Sequence, residues 1–206
     1  SSIKPINYAT GLIKGYSAAT VFVDDDKCFP SGDGKSYCPK NYDGKFHGVV
    51  NMRNSLANSY NIPAVKMLKL NGMDAMIATA SAMGISTFTE PERYGLSLTL
   101  GGGEVMMTDM TEAFGVFANM GYRIPLEPIL KVTDSEGEII DQYKAPSRPM
   151  FGGKKVIPEG VAFIISHILA DNGARSAAFG SNSILKIGNY PVSVKTGTTN
   201  DYRDNW

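Results

Sequence analysis

The sequence predicts an α/β chain of the α+β kind, in which helices come first and strands follow. Helical spacing of apolar residues recurs in short segments before residue 120. A hairpin signal lies at 129–143, and a β-branched segment lies at 191–197. We therefore expect a mainly helical lobe at about 48–120 and a sheet-containing part at 121–206.

The helix predictions follow the apolar spacing and its stop signals. Residues 1–14 place Pro5 in the first turn, where no intrahelical donor is needed, and Gly15 ends the segment. Residues 21–47 are predicted to be loop, and 58–63 a break between helices. Further helices are predicted at 49–56, 64–70, 74–83, 109–121 with Asp109 as N-cap, and 158–170.

The strand predictions rest on turn chemistry. Residues 129–133 and 138–143 flank Asp134-Ser135-Glu136-Gly137, a sequence typical of a hairpin turn. Residues 191–197 are predicted to form a strand that carries Lys195.

Composition limits the classes of function. The 206 residues are 43% hydrophobic and 19% charged, and Lys+Arg equal Asp+Glu at 20 each. This balance gives no basic patch for nucleic acid. The longest apolar run, 161–165, is too short to cross a bilayer, and no signal peptide is evident.

A run of three glycines, 101–103, invites a phosphate-loop interpretation. It lacks the Lys-Ser/Thr of a P-loop and the spacing of a dinucleotide site. A tight turn or a close backbone approach is the better interpretation. We expect no cofactor.

The two cysteines, Cys28 and Cys38, flank a segment rich in proline and glycine. Such a segment can fold back and close a disulfide, which fits an extracytoplasmic compartment. A metal site with His47 is an alternative, but its ligand set is incomplete. Two free thiols are the other alternative, for a cytosolic protein. We predict the disulfide and no metal site.

Three short motifs occur in a fixed order. They are the S-x-x-K of Ser1 to Lys4, the S-x-N of Ser59 to Asn61, and the K-T-G that begins at Lys195. Each is weak alone, and together they resemble the signature of penicillin-acylated serine enzymes.

A second S-x-x-K begins at Ser183. An S-x-x-K motif is expected by chance about once in a chain of this length. Ser183 follows the S-x-N motif and lies close to Lys195, which leaves little room for a separate nucleophile helix. Order therefore favours Ser1 as the reactive serine.

The resemblance extends beyond these motifs over nearly the whole chain, 1–206. The matching segments are Lys4-Pro5, 41–44, Arg53, 59–65, 94–98, 100–102, 117–119, Arg175 and 179–180. The chain is identified as a member of the family of transpeptidase domains of class A (bifunctional) penicillin-binding proteins. The resemblance implies the penicillin-binding protein/serine β-lactamase-like fold, with an antiparallel sheet flanked by helices plus an all-helical lobe.

The resemblance also implies roles. Ser1 attacks the carbonyl of a D-alanyl-D-alanine stem peptide, Lys4 is the general base, and Ser59 passes a proton to the leaving amine. Asn61 holds the substrate amide, and Lys195 supplies positive potential. The remaining implied roles belong to Thr196 and Thr198, which engage the substrate carboxylate, to Gly197, which leaves room for substrate, and to the backbone N–H groups of Ser1 and Thr198, which form the oxyanion hole.

Several activities share this acylation chemistry. The implied reaction is a D,D-transpeptidase step that β-lactams block. A D,D-carboxypeptidase, a non-enzymatic penicillin sensor and a serine β-lactamase are alternatives. A β-lactamase needs a deacylation base such as Glu90, but residues 93–96 fit the transpeptidase pattern. A serine using its own N-terminal amine as base is a further alternative, against which the motif order argues.

The resemblance further implies segments outside these residues. A glycosyltransferase domain and a membrane anchor are expected upstream. The protein is expected to lie on the extracytoplasmic face of the membrane. We expect family strands before Ser1 and after Trp206, and poor β-lactam binding by these 206 residues alone.

Overall fold

A computed structural model describes residues 1–30, 36–145 and 153–198. The helices are α1 Lys4–Ile13, α2 Met52–Ala57, α3 Asn61–Asn71, α4 Met73–Ala82, α5 Met107–Ala118, α6 Glu159–Ala170 and α7 Ser176–Phe179, with 3₁₀ turns at Pro91–Arg93 and Leu96–Leu100. The strands are β1 Val21–Asp24, β2 Phe29–Pro30, β3 Ser36–Tyr37, β4 Gly48–Asn51, β5 Tyr122–Arg123, β6 Lys131–Thr133, β7 Ile139–Gln142 and β8 Lys154–Lys155.

Helix α1 lies inside the core rather than on its surface. Every residue from Lys4 to Leu12 is buried, and α1 contacts α2, α3, α4 and α6. The prediction of a helix with Pro5 in its first turn is confirmed. Because its neighbours cover nearly the whole helix, the lysine in its first turn is enclosed along with the apolar side chains.

The prediction of loop over 21–47 is wrong at three short strands, β1, β2 and β3. Strand β1 pairs antiparallel with β4, with Phe22 opposite Val50, and β2 pairs with β3. Phe22 is buried and its ring contacts Tyr8 edge-on at 6.4 Å. Burying this aromatic residue favours strand over loop.

The predicted helix at 49–56 begins later. Residues up to Asn51 belong to β4, and the Asn51 side chain accepts a hydrogen bond from Asn54 N at 2.8 Å. This N-cap bond starts α2 at Met52.

Two further helix boundaries differ from the prediction. Helix α3 starts at Asn61, with Pro63 inside its first turn, where a missing N–H costs nothing. Helix α5 starts at Met107, so Asp109 lies in its first turn instead of capping it. The Asp109 carboxylate accepts bonds from Ser86 N and Oγ at 2.8 and 2.7 Å.

Antiparallel pairing continues after residue 121. The predicted hairpin is confirmed as β6 with β7, where Asp134 Oδ1 accepts bonds from Glu136 N and Glu138 N and Gly137 has φ +88°. The predicted strand at 191–197 is wrong. Among the described residues, 191–197 pair with no strand, and Thr198 takes part in an isolated bridge.

Helix α6 matches its prediction and supports that last segment. Pro158 is its N-cap, and Val161, Ile165 and Ile168 enter the same core as α1. Leu169 O accepts a bond from Val194 N at 3.0 Å. Within the described ranges, no helix combines the length and apolarity that a bilayer crossing requires.

Candidate active site

The first motif places its lysine against the second motif. Lys4 is fully buried, and its Nζ lies 2.6 Å from Ser59 O, 2.6 Å from Asn61 Oδ1 and 3.3 Å from Ser59 Oγ. Ser1 lies in the turn that leads into α1, since Lys4 N donates to Ser1 O at 3.2 Å. Among the hydrogen bonds of the described residues, none joins Lys4 Nζ to Ser1 Oγ. The motif lysine contacts the S-x-N motif and shares a helical turn with the serine.

The second motif is a tight turn between α2 and α3. Ser59 has φ +59°, in the left-handed region that β-carbon-bearing residues rarely adopt. Bonds from Ser59 N to Leu56 O at 3.1 Å and from Tyr60 N to Ser55 O at 3.0 Å close the turn. Lys4 Nζ donates a hydrogen bond to the carbonyl oxygen of Ser59. This fixed backbone directs the Ser59 hydroxyl at the lysines.

The third motif reaches the same hydroxyl from the other side. Lys195 Nζ donates to Ser59 Oγ at 2.7 Å and to Thr196 O at 2.8 Å. The segment before it is tied to α6, because Ser193 Oγ donates to Ser166 O at 2.8 Å. The Ser59 hydroxyl therefore lies between the two lysine amines.

Two glycines make close approaches to Ser1 and Ser2. A β-carbon at Gly197 would lie 3.1 to 3.2 Å from atoms of Ser2. One at Gly101, where φ is +106°, would lie 3.2 Å from Ser1 N, which itself donates to Leu100 O at 2.9 Å. The close backbone approach predicted for the glycine run is confirmed at Gly101. The space that Gly197 leaves is next to the serine-bearing turn.

The surroundings of the two lysines lower the pKa of both amines. Burial, followed by the charge of Lys195, holds the pKa of Lys4 well below its usual range. Burial lowers the pKa of Lys195 to about 7. No carboxylate among the described residues forms an ion pair with either amine. A neutral Lys4 can donate two bonds to its carbonyl partners and keep a lone pair for a proton.

The structure brings Ser1, Lys4, Ser59, Asn61 and Lys195 together and leaves two alternatives elsewhere. Ser183 Oγ accepts from Leu185 N at 3.2 Å in a turn of its own. Glu90 is half-exposed and pairs with Arg93 at 3.3 Å. Thr196 and Thr198 are partly buried beside Lys195.

The predicted disulfide is confirmed. Cys28 and Cys38 are joined with an S–S distance of 2.04 Å, next to the β2–β3 pair. His47 Nδ1 lies 2.7 Å from Asp24 Oδ2, and its Nε2 lies 3.1 Å from Asp43 Oδ2. Because both sulfurs are bonded to each other, the metal-site and free-thiol alternatives do not describe these cysteines.

Sequence reasoning missed residues that hold the S-x-N turn in place. Asn41 Oδ1 accepts from Asn61 N at 2.7 Å, and Asn41 Nδ2 donates to the buried Asp24 carboxylate at 2.7 Å. Lys40 O accepts from Asn61 Nδ2 at 2.6 Å. Residues 41–44 belong to the segments that resemble the family, but the resemblance assigns them no role. No rule of sequence spacing connects Asp24 to Asn61.

The fold, with the three motifs meeting around the Ser59 hydroxyl, defines a transpeptidase domain. The sequence matches the family described as "Penicillin binding protein transpeptidase domain" over residues 1–205. The chain belongs to this family. It is 32% identical over 212 residues to penicillin-binding protein 1A of Neisseria lactamica, and 30% identical over 207 residues to penicillin-binding protein 1A of Aquifex aeolicus.

These relatives are much longer than the chain. The match covers 100% of the chain in both cases, but 25% and 27% of the two relatives. The crystal structure of penicillin-binding protein 1A from Haemophilus influenzae superposes with a TM-score of 0.78 at 25% identity, covering 97% of this chain and 34% of that one.

A second solved structure shows the same fold. The D,D-transpeptidase domain of a peptidoglycan glycosyltransferase from Eggerthella lenta has a TM-score of 0.76 at 18% identity, covering 100% of this chain and 54% of that one. The fold is therefore that of penicillin-binding transpeptidase domains, as the resemblance implied.

Proposed function

We propose that this chain carries the acyl-serine D,D-transpeptidase site of a longer protein, which cross-links peptidoglycan stem peptides and is acylated by β-lactams. The observation that supports it most is the placement of the Ser59 hydroxyl between Lys4 and Lys195. Lys4 itself is joined to Ser1 by a turn hydrogen bond. The family membership over 1–205 supports the same reaction.

Acylation begins at Ser1. A serine hydroxyl is a weak nucleophile until a nearby base removes its proton. Neutral Lys4 takes the Ser1 Oγ proton as the oxygen bonds to the carbonyl carbon of the penultimate D-alanine. The carbonyl π electrons move to oxygen, which the backbone N–H groups of Ser1 and Thr198 stabilise as the oxyanion hole.

Collapse of this intermediate releases the terminal D-alanine. The C–N bond breaks, and the leaving nitrogen takes a proton from Ser59 Oγ. Lys4 returns the proton it holds to Ser59, whose oxygen lies 3.3 Å from Lys4 Nζ. An acceptor amine then attacks the acyl-serine by the same steps in reverse, forming the cross-link and freeing Ser1.

Substrate binding uses the remaining motif residues. Lys195, charged below its pKa of about 7, attracts the substrate carboxylate, and Thr196 and Thr198 donate to it. Asn61 holds the substrate amide beside Lys4. Gly197 allows the segment to approach both Ser2 and the substrate.

The surroundings of the site fit a cell-wall enzyme. The Cys28–Cys38 bridge fits an oxidising, extracytoplasmic compartment. The relatives named penicillin-binding protein 1A are about four times as long as this chain, since the chain spans 25% of such a relative. We propose that the whole protein adds a glycosyltransferase domain and a membrane anchor, and acts at the extracytoplasmic face of the membrane.

A turnover assay tests this proposal. The whole protein is given a stem pentapeptide ending in D-alanyl-D-alanine together with an acceptor amine. We expect released D-alanine and a cross-linked product, both abolished by penicillin and by Ser1→Ala but retained in Ser183→Ala. D-alanine without cross-linked product would indicate a D,D-carboxypeptidase. Neither product, or full activity in Ser1→Ala, would contradict the proposal.

A further inference from the structure

The segment from Lys40 to His47 lies against the S-x-N turn, although it belongs to none of the three motifs. It contacts the turn at three points. Asn41 Oδ1 accepts from Asn61 N at 2.7 Å, Lys40 O accepts from Asn61 Nδ2 at 2.6 Å, and the His47 ring stacks on Tyr60 with centroids 4.0 Å apart. Both residues that follow Ser59 are therefore held by this segment.

The contact to Asn61 N supplies the missing cap of α3. Asn61 is the first residue of this helix, and its backbone N–H has no intrahelical acceptor. The N-cap residue, Tyr60, makes no side-chain cap bond. Asn41 thus caps α3 from a distant part of the chain.

The donors and acceptors admit one orientation of each amide. Lys40 O can only accept, so Asn61 turns its nitrogen to Lys40 and its oxygen to Lys4 Nζ, 2.6 Å away. Asn41 donates to Asp24 Oδ2 at 2.7 Å and to Lys45 O at 2.8 Å. Its oxygen is therefore left for Asn61 N.

Asp24 anchors this arrangement at the end of β1. It is 1% exposed, and its Oδ2 accepts from Asn41 Nδ2, His47 N and His47 Nδ1 at 2.7, 3.0 and 2.7 Å. Its Oδ1 has no partner among the described residues. By accepting three hydrogen bonds, the Asp24 carboxylate fixes the orientation of Asn41 and His47.

We infer that Asn41, fixed by Asp24, is a positioning residue for the acylation step: it holds the start of α3 so that the Asn61 oxygen meets Lys4. The inference rests on the proposed function and adds to it. Among the hydrogen bonds of the described residues, Asn41 reaches Asn61 but neither Lys4 nor Ser1, so it acts through Asn61. A displacement of about 1 Å in such a site can cost about 10²-fold in rate.

The experiment measures the acylation rate constant and the dissociation constant for a fluorescent penicillin in the whole protein. Asn41→Ala should lower the rate constant by about 10- to 100-fold and change the dissociation constant less than about threefold. Asn71→Ala is the matched control, being an equally buried asparagine at the other end of α3. It should lower the melting temperature and leave the rate constant within about twofold.

A double variant separates positioning from general stability. If Asn41 acts through Asn61, adding Asn41→Ala to Asn61→Ala should change the rate constant less than about threefold. Asp24→Asn, which keeps the side-chain shape, should lower the rate constant by about 3- to 10-fold. This variant tests the same inference if Asn41→Ala does not fold.

Two results would overturn the inference while leaving the proposed function intact. One is a normal rate constant in both Asn41→Ala and Asp24→Asn. The other is a double variant whose rate constant falls by the product of the two single-variant losses. A wild-type protein that penicillin does not acylate would overturn the proposed function, and this inference with it.

Discussion

Lys195 Nζ donates to Ser59 Oγ at 2.7 Å, across a separation of 136 residues. Because Lys4 Nζ lies 3.3 Å from the same oxygen, one hydroxyl connects two amines. A hydroxyl can accept from one amine while it donates to the lone pair of the other. The arrangement therefore provides a path for a proton between the motifs.

Removing the proposed general base, Lys4, should slow acylation strongly. Lys4→Ala should lower the acylation rate constant by about 10²-fold or more, the range for losing a general base. Stopped-flow fluorescence with a reporter penicillin measures it. Lys69→Ala, an exposed lysine on α3, is the control and should acylate normally. A wild-type rate in Lys4→Ala would show that Lys4 is not the base.

The pH profile of acylation should be bell-shaped for β-lactams that carry a carboxylate. Lys4 acts as a base when it is neutral. The ratio of the acylation rate constant to the dissociation constant therefore rises with pH through the lowered pKa of Lys4. Lys195 attracts the carboxylate when charged, so the ratio falls above its pKa of about 7.

Lys195→Arg tests the falling limb, because a guanidinium stays charged over the whole range. The limb near pH 7 should disappear in this variant, whatever the change in absolute rate. The same falling limb in Lys195→Arg would assign the titration to another group.

A methyl group at Gly197 should disturb the serine-bearing turn. Its β-carbon would come within 3.1 to 3.2 Å of Ser2, so one side must move. We expect Gly197→Ala to reduce the acylation rate constant by about tenfold or more. Gly160→Ala is the control, since its β-carbon would meet no atom within 4 Å. Equal rates in both variants would contradict the close approach at Ser2.

The disulfide should contribute to stability. The Cys28→Ser/Cys38→Ser double variant should lose about 2–3 kcal/mol of unfolding free energy, as expected for closing a short loop. Denaturant titration of the unreduced proteins measures the difference. Thiol titration of the denatured wild type should find no free thiol, and two free thiols would contradict the bridge.

Local sequence patterns predicted most of the helices and the hairpin. Helix α1, α6 and the β6–β7 hairpin follow from apolar spacing, a proline in a first turn and Asp134-Ser135-Glu136-Gly137. Strand β1 was missed because its pairing with β4 is settled by distant contacts such as Phe22 with Tyr8. The segment 191–197, predicted as a strand, has no strand pairing within the described part of the chain, where its hydrogen bonds run to α6 and Ser59.

The site was predictable where motif order carries it. Lys4, Ser59 and Lys195 converge as their order indicated. The left-handed backbone at Ser59 and the support of Asn61 by Asn41 were not predictable, because they depend on a turn conformation and a tertiary contact. Neither leaves a periodic signal in one sequence.

The most direct test of the account is to map the residue that penicillin acylates. The whole protein is labelled, digested and analysed by mass spectrometry, with Ser1→Ala and Ser183→Ala in parallel. We predict one adduct, on the peptide that contains Ser1, present in Ser183→Ala and absent from Ser1→Ala. An adduct on Ser183, or label that persists in Ser1→Ala, would contradict it.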